Sequence, residues 1–144
     1  MAAGTKCTAS MLKQLLKVSS SAGGLDSALA ACRVVAGAPG TCTLAMTVAK
    51  EHSNLGGTLH GGFSAHLVDS VTTLALMTAE GGLPGVSVDM HLTYMKAAQV
   101  GEEVEIVART VRKGRTLAFL ECEIRSMSTG AALVRGSHTK FIGG

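Results

Sequence analysis

The stretch GGTLHGGFSAHLVDS, residues 56–70, gathers groups on which carbonyl chemistry could be built. His60 precedes a Gly61–Gly62 pair, a helix-like run comes next, and Asp69 is the only acid between Glu51 and Glu80. The first N–H groups of a helix have no internal partner, and the helix dipole favours negative charge beside them. With bare glycine at 61 and 62, a substrate can approach that backbone closely, which suits a developing oxyanion as well as a phosphate. A P-loop is excluded because no GK[ST] follows. A nucleophile elbow is excluded because Ser64 is followed two residues on by His66 rather than by glycine. There remains an oxyanion-binding helix start with no serine nucleophile attached.

Asp69 lies eight residues beyond Gly61, about 12 Å along a helix rising 1.5 Å per residue. A carboxylate cannot easily span that distance to act on a carbonyl held at its own Gly61. If both groups serve one reaction, the acid comes from another subunit. Two antiparallel copies of the helix would bring each Asp69 to the other's N-terminus, which makes a symmetric dimer with two equivalent sites the economical arrangement.

The surrounding secondary structure is legible from pattern. Phe63, Leu67, Val71, Leu74 and Thr78 recur at three and four, giving a helix over 60–79 with one apolar stripe. GGLPG at 81–85 stops it. Residues 86–95 alternate, predicting a strand with Val86, Val88, Met90, Leu92 and Tyr94 on one face and Ser87, Asp89, His91, Thr93 and Met95 on the other. EVEIVARTVR and TLAFLECEIR read as two strands joined through KG, and ALVRGSHTKFI as a last strand. Upstream, ALAACRVVAG and TCTLAMTVAK read as a strand pair around APG, preceded by a short helix over 9–18 and the loose SSSAGG at 19–24. One long helix against a largely antiparallel sheet is an α+β layout, and the whole of 1–144 is expected to be one domain.

Composition narrows the function. The chain is 47% hydrophobic and 3% aromatic, so the core is built from Val, Leu, Ile, Ala and Met. The net charge of +3 is too small and dispersed for a nucleic-acid partner. No run is long and apolar enough for a transmembrane segment. Cys7, Cys32, Cys42 and Cys122 form no CxxC and no close Cys/His pairing, so no metal site is expected and free thiols are the simplest reading. Lys6, Lys13 and Lys17 with several serines and no acid before Asp26 resemble a weak mitochondrial presequence, though without arginine. The alternative, which we favour, is that this segment is a helix of the fold. Arg112, Lys113 and Arg115 around Gly114 are a solvated hairpin tip or an anion site. His52, His66, His91 and His138 show no partner pattern and read as surface or packing residues.

HSNLGGTLHGGFSAHLVD followed by GVSVDMHLTYMKAA resembles the hotdog-fold acyl-coenzyme A thioesterases of the phenylacetate-degradation type, from about residue 8 to the C-terminus. The resemblance implies a long helix wrapped by a curved antiparallel sheet, paired into homodimers and often homotetramers. It implies hydrolysis of acyl-CoA, here of medium-to-long fatty chains, with coenzyme A as part of substrate and product and no separate cofactor. By the same resemblance the Gly61 N–H polarises the thioester carbonyl, and Asp69 of the partner chain is general base or nucleophile. Ser87 positions water, and Asn54 and His60 orient the carbonyl, the water or the leaving thiolate. The nucleotide side is then lined by Asp89, Phe141, Tyr94, Met95, Lys96, Ala97, Ala98 and Gln99, together with Arg112, Lys113, Gly114, Arg115, Thr116 and Leu117. Relatives commonly have proline at the place of Ala97 or Ala98, which puts the path of that loop in question. The compartment is cytoplasmic, mitochondrial or both. Two rivals stand beside this reading, a non-catalytic acyl-CoA or protein-scaffold dimer and a dehydratase. An acid aimed at the carbonyl argues against the first. The acid on the helix, with His60 followed by Gly-Gly, argues against the second.

Overall fold

The computed structural model describes residues 2–143, with side chains from Thr8 onward. The chain runs α1 (Ala2–Ser21), a 3-10 helix (Leu25–Ala31), β1 (Arg33–Ala38), β2 (Thr41–Thr47), α2 (Gly61–Met77), β3 (Val86–Tyr94), β4 (Glu103–Lys113), β5 (Leu117–Ser126) and β6 (Ala132–Phe141). The six strands form one antiparallel sheet in the order β1-β2-β4-β5-β6-β3. This is the α+β hotdog arrangement, a long helix laid against a sheet.

Two sequence-based expectations change at the N-terminal end. The first helix is longer than 9–18, because nothing in the alanine-containing stretch before it breaks a helix except Gly4. The expected strand over 28–37 begins only at Arg33. Its first part, ALAA at 28–31, belongs to the segment LDSALAA, which has no β-branched residue to favour a pleat. It winds instead into a 3-10 helix, where Ser27 donates both its N–H and its hydroxyl to the Gly24 carbonyl.

The core sits between α2 and the sheet. Leu67, Val68, Val71 and Ala75 of α2 are fully buried against Leu44, Met46, Val104, Ile106, Ile124 and Leu133. Leu12 and Leu16 of α1 extend this core over β1, and Gly37 leaves the space that Leu12 fills. The opposite face of the sheet carries cross-strand ion pairs, Arg109–Glu121, Arg125–Glu105 and Arg135–Glu123.

Two local features shape the region where α2, β3 and β6 meet. At Gly136 a Cβ would stand 2.8 Å from Val68 Cγ1, so α2 lies closer to β6 than a side chain there would allow. In β3 the register with β6 slips between Ser87 and Asp89, leaving Val88 without a partner. This bulge overturns the simple alternation expected for 86–95. Ser87 faces Lys140 and Met90 faces His138 across the ladder, and Lys140 and His138 are both buried. Ser87 therefore shares the inward face with Met90, Leu92 and Tyr94, because one extra residue reverses the phase of a period-two pattern.

Candidate active site

The N-terminus of α2 is built as an open donor site. His60 is the N-cap, in extended conformation (φ −63°, ψ 132°), and its ring Nδ1 accepts the Gly62 N–H at 2.8 Å. The His60 ring is thus occupied by the helix. The Ser64 N–H already bonds back to the His60 carbonyl at 2.9 Å. Among the described residues no acceptor takes the Gly61 N–H, as is usual for the first N–H of a helix. The Tyr94 hydroxyl donates to the Gly61 carbonyl at 2.8 Å and ties the end of β3 to the same turn.

Asn54 is committed to its own loop. Its Oδ1 accepts from the N–H groups of Gly56 (3.0 Å) and Thr58 (3.2 Å), and its amide donates to Thr58 Oγ1 at 2.9 Å. This Asx-type turn holds the chain that leads to His60. Leu59 N–H bonds Ala98 O at 2.8 Å, and Thr58 bridges to Gln99, so the 94–99 segment lies beside the helix start. Asn54, Gly61, Tyr94, Met95, Lys96, Ala97 and Ala98 line one cavity of about 350 Å³ there.

The remaining candidates gather elsewhere. Asp69 is half exposed on α2, and a second cavity of about 350 Å³ holds it with Thr73, Met77, Gly85, Asp26, His66 and Lys140. Phe141 pairs with both Val86 and Leu117, which brings the Arg112–Leu117 turn to the Ser87 end of β3. Gly114 N–H closes that turn on Leu117 O at 2.8 Å, and Ile142 N–H bonds Thr116 O at 2.8 Å. Arg112, Lys113 and Arg115 are exposed on it, and Asp89 is exposed on β3. In one chain, then, the candidate site is in two parts. Asn54, His60, Gly61 and 94–99 sit at one end of β3, and Asp69, Ser87 and the basic turn with Phe141 sit at the other.

His138, which the sequence reads as a surface or packing residue, belongs to the second part. Its ring is buried, with Nε2 2.7 Å from Ser87 Oγ, Nδ1 2.7 Å from Thr72 Oγ1, and Nε2 4.0 Å from Asp69 Oδ1. Burial holds the His138 pKa below its ordinary value; the nearby Asp69 charge opposes this, Lys140 adds to it, and Asp89 opposes it. Beside it, Lys140 donates to Thr73 Oγ1 at 2.6 Å, and Thr73 donates to the Asp69 carbonyl at 2.7 Å. Burial likewise lowers the Lys140 pKa, against the pull of Asp69. Only the tertiary pairing of β6 with β3 and α2 could have revealed this cluster, since Thr72 and His138 are 66 residues apart.

Other polar residues have structural explanations. His52 Nδ1 accepts from Ala49 N–H at 3.0 Å and its ring stacks on Phe63. Cys32, Cys42 and Cys122 are free and buried. Burial pushes their thiols up, to about 11 for Cys32 and about 12 for Cys42 and Cys122, so they remain protonated and unreactive. The side chain of Cys7 lies outside the described residues. Among the described residues no helix is long and apolar enough to cross a membrane.

Comparison with known proteins shows what the whole chain is similar to. The family model described as "Thioesterase superfamily" matches residues 56–132. Acyl-coenzyme A thioesterase 13 of Mus musculus is 44% identical over 132 residues, covering 92% of this chain and 94% of the relative. The Homo sapiens protein of that name is 42% identical with the same coverage. The crystal structure of zebrafish thioesterase superfamily member 2 matches with a TM-score of 0.90 at 43% identity, over 92% of this chain and 96% of that one.

Proposed function

The chain belongs to the hotdog thioesterase superfamily and is a thioester hydrolase, and from that premise we propose that it cleaves medium-to-long-chain fatty acyl-coenzyme A at active sites shared between two subunits. The observation that carries this reading is the division of the site within one chain. The oxyanion end is at Tyr94 and the carboxylate end is at Val86. A partner is therefore needed to bring the two together.

β3 supplies the means. It is an edge strand, and Val86, Val88 and Tyr94 on it are 68%, 56% and 57% exposed. A nine-residue edge with this much apolar surface is a strand awaiting a partner. Antiparallel pairing of two β3 strands about Met90 would set Tyr94 of each against Val86 of the other. Gly61 of one subunit would then face Asp69 and Ser87 of its partner, and the 94–99 segment would meet the partner's basic turn. Such dimers pair further into tetramers in this proposal.

The chemistry proceeds from those groups. A water held between Asp69 and Ser87 attacks the thioester carbon. As the new C–O bond forms, the carbonyl electrons move onto oxygen, where the Gly61 N–H stabilises them at the positive end of α2. Asp69 takes one water proton as general base. The tetrahedral intermediate collapses with cleavage of the C–S bond. Coenzyme A departs as thiolate, so no strong acid is required for the leaving group. Arg112, Lys113, Gly114 and Arg115 supply cationic groups and a backbone turn for the phosphates of the nucleotide. Asn54 and His60 act on the carbonyl through the backbone they brace. An acyl-CoA-containing compartment, cytoplasm or mitochondrion, suits this activity.

The test is thiol release from a ladder of acyl-CoAs, short to long and one aryl, by wild type and Asp69→Asn. Turnover by the wild type that falls at least a hundred-fold in a folded Asp69→Asn variant, a loss in the range expected for a positioned general base (about 10²–10⁴-fold), supports the reading. The ladder then reports chain length. Binding without thiol release would make the protein an acyl-CoA carrier instead.

A further inference from the structure

The hydrogen bonds around a neutral His138 have only one consistent arrangement of protons. Thr72 Oγ1 lies 2.7 Å from the Val68 carbonyl, 3.1 Å from the Asp69 carbonyl and 2.7 Å from His138 Nδ1. A hydroxyl has one proton, and backbone carbonyls only accept. If that proton went to His138, Thr72 Oγ1 and Val68 O would face one another at 2.7 Å with no hydrogen between them. The threonine proton therefore goes to the helix backbone, and His138 Nδ1–H donates to the threonine lone pair. Burial keeps the ring neutral, so the other nitrogen, Nε2, carries a lone pair. Its partner at 2.7 Å is Ser87 Oγ, which must donate. The serine proton is thereby turned inward, and only oxygen lone pairs are left for the cavity.

We propose that Thr72 and His138 are positioning residues that fix the direction of the Ser87 hydroxyl, so that Ser87 meets the attacking water purely as a hydrogen-bond acceptor. This rests on the thioesterase reading and deepens it. A water flanked by two acceptors, Asp69 and Ser87, has both hydrogens engaged and directs its remaining lone pair at the thioester carbon. With the opposite tautomer, Nε2–H would donate to Ser87, and the serine proton would be free to occupy the water's place as a donor. The bulge at Val88 and the close approach of α2 at Gly136 make the relay possible. The first brings Ser87 inward to His138, and the second brings Thr72 within reach of it.

The experiment uses the full chain labelled with ¹⁵N-histidine, with the His138 signals identified by their loss in His138→Gln. The expected spectrum at neutral pH is that of the Nδ1–H tautomer. Thr72→Val, which keeps the shape and removes the acceptor, should mix the tautomers and slow thiol release about ten-fold, the scale of one lost hydrogen bond. Thr72→Ser should restore both. Thr72→Val/Ser87→Ala should be no slower than Ser87→Ala, because the two residues act through one bond. An Nε2–H tautomer in the wild type overturns the proposal, and this readout stands even if Thr72→Val does not fold. Full activity of a folded Thr72→Val beside an impaired Ser87→Ala also overturns it, as does an acyl group trapped on Ser87 Oγ. Absence of thiol release by the wild type sinks the thioesterase reading itself, and the proposal with it. An unaffected Thr72→Val with normal wild-type turnover removes only the positioning role.

Discussion

Replacing Gly61 with proline should delete one hydrogen-bond donor while leaving the fold in place. Gly61 is the first helical residue of α2, the position at which proline is best tolerated because its N–H has no partner within the helix. The residue before a proline must be extended, and His60 already is, at φ −63° and ψ 132°. A Cβ at 61 would meet the Tyr94 ring at 3.5 Å, an ordinary contact. The missing group would be the donor proposed to hold the oxyanion, and loss of one such donor costs about 10²–10³-fold in kcat. The same variant tests the shared site. If Gly61→Pro and Asp69→Asn chains are unfolded together and refolded in equal amounts, half the dimers carry one of each. In those dimers one site has lost both groups and the other has lost neither. A site built across a two-fold axis therefore recovers about a quarter of wild-type thiol release from two nearly inactive proteins. A mixture no better than its parents would place Gly61 and Asp69 of one chain in one site, and Gly61→Pro active to within about three-fold would refute the oxyanion role.

Other outcomes are expected from the same geometry. Val88→Lys, a charge on the exposed edge strand, should halve the mass seen by analytical ultracentrifugation and abolish thiol release, since the edge is where a partner strand is proposed; an unchanged mass would count against pairing through β3. Gly136→Ala should cost about 1–3 kcal/mol in urea unfolding, because its Cβ would stand 2.8 Å from the fully buried Val68; a cost below about 0.5 kcal/mol would show that α2 yields freely there. The lowered His138 pKa fixes the sign of a pH effect: below the ordinary value of 6.5 the unfolded chain takes a proton that the native ring resists. That contribution is present above pH 6.5 and lost as pH falls below it. The urea midpoint of the wild type should therefore drop over this range more steeply than that of His138→Gln, and parallel curves would contradict it.

Much of the fold was legible because it rests on periodicity. The apolar stripe of α2 and the three long strands of the second half are plain in the sequence, and so is the separation of about 12 Å that Asp69 would have to span to act at Gly61 of its own chain. The features that the sequence concealed are tertiary. ALAA at 28–31 looks extended only beside the strand that follows it, and the 3-10 helix that LDSALAA forms, with its short-range hydrogen bonds at Ser27, decides otherwise. Residues 86–95 alternate without a flaw, yet a slip of one residue against β6 at Val88 turns Ser87 to the side that the pattern denied it. His138 carries no local mark of its role. Its partners come from α2 and β3, and the ring is meaningful only where those elements converge.

The bulge in β3 has an implication for how this site tolerates change. Whether Ser87 faces His138 depends on how many residues separate it from Met90, as well as on which residues they are. Deleting Val88 would restore a regular ladder and leave Ser87 inward opposite Lys140, whereas flattening the bulge with Val88 taken into the ladder would swing the serine to the outer face. A change that removes the bulge without removing a residue is thus more dangerous here than loss of Val88 itself. A homologue of altered β3 length should be judged by counting along the ladder before its serine is assigned the same work.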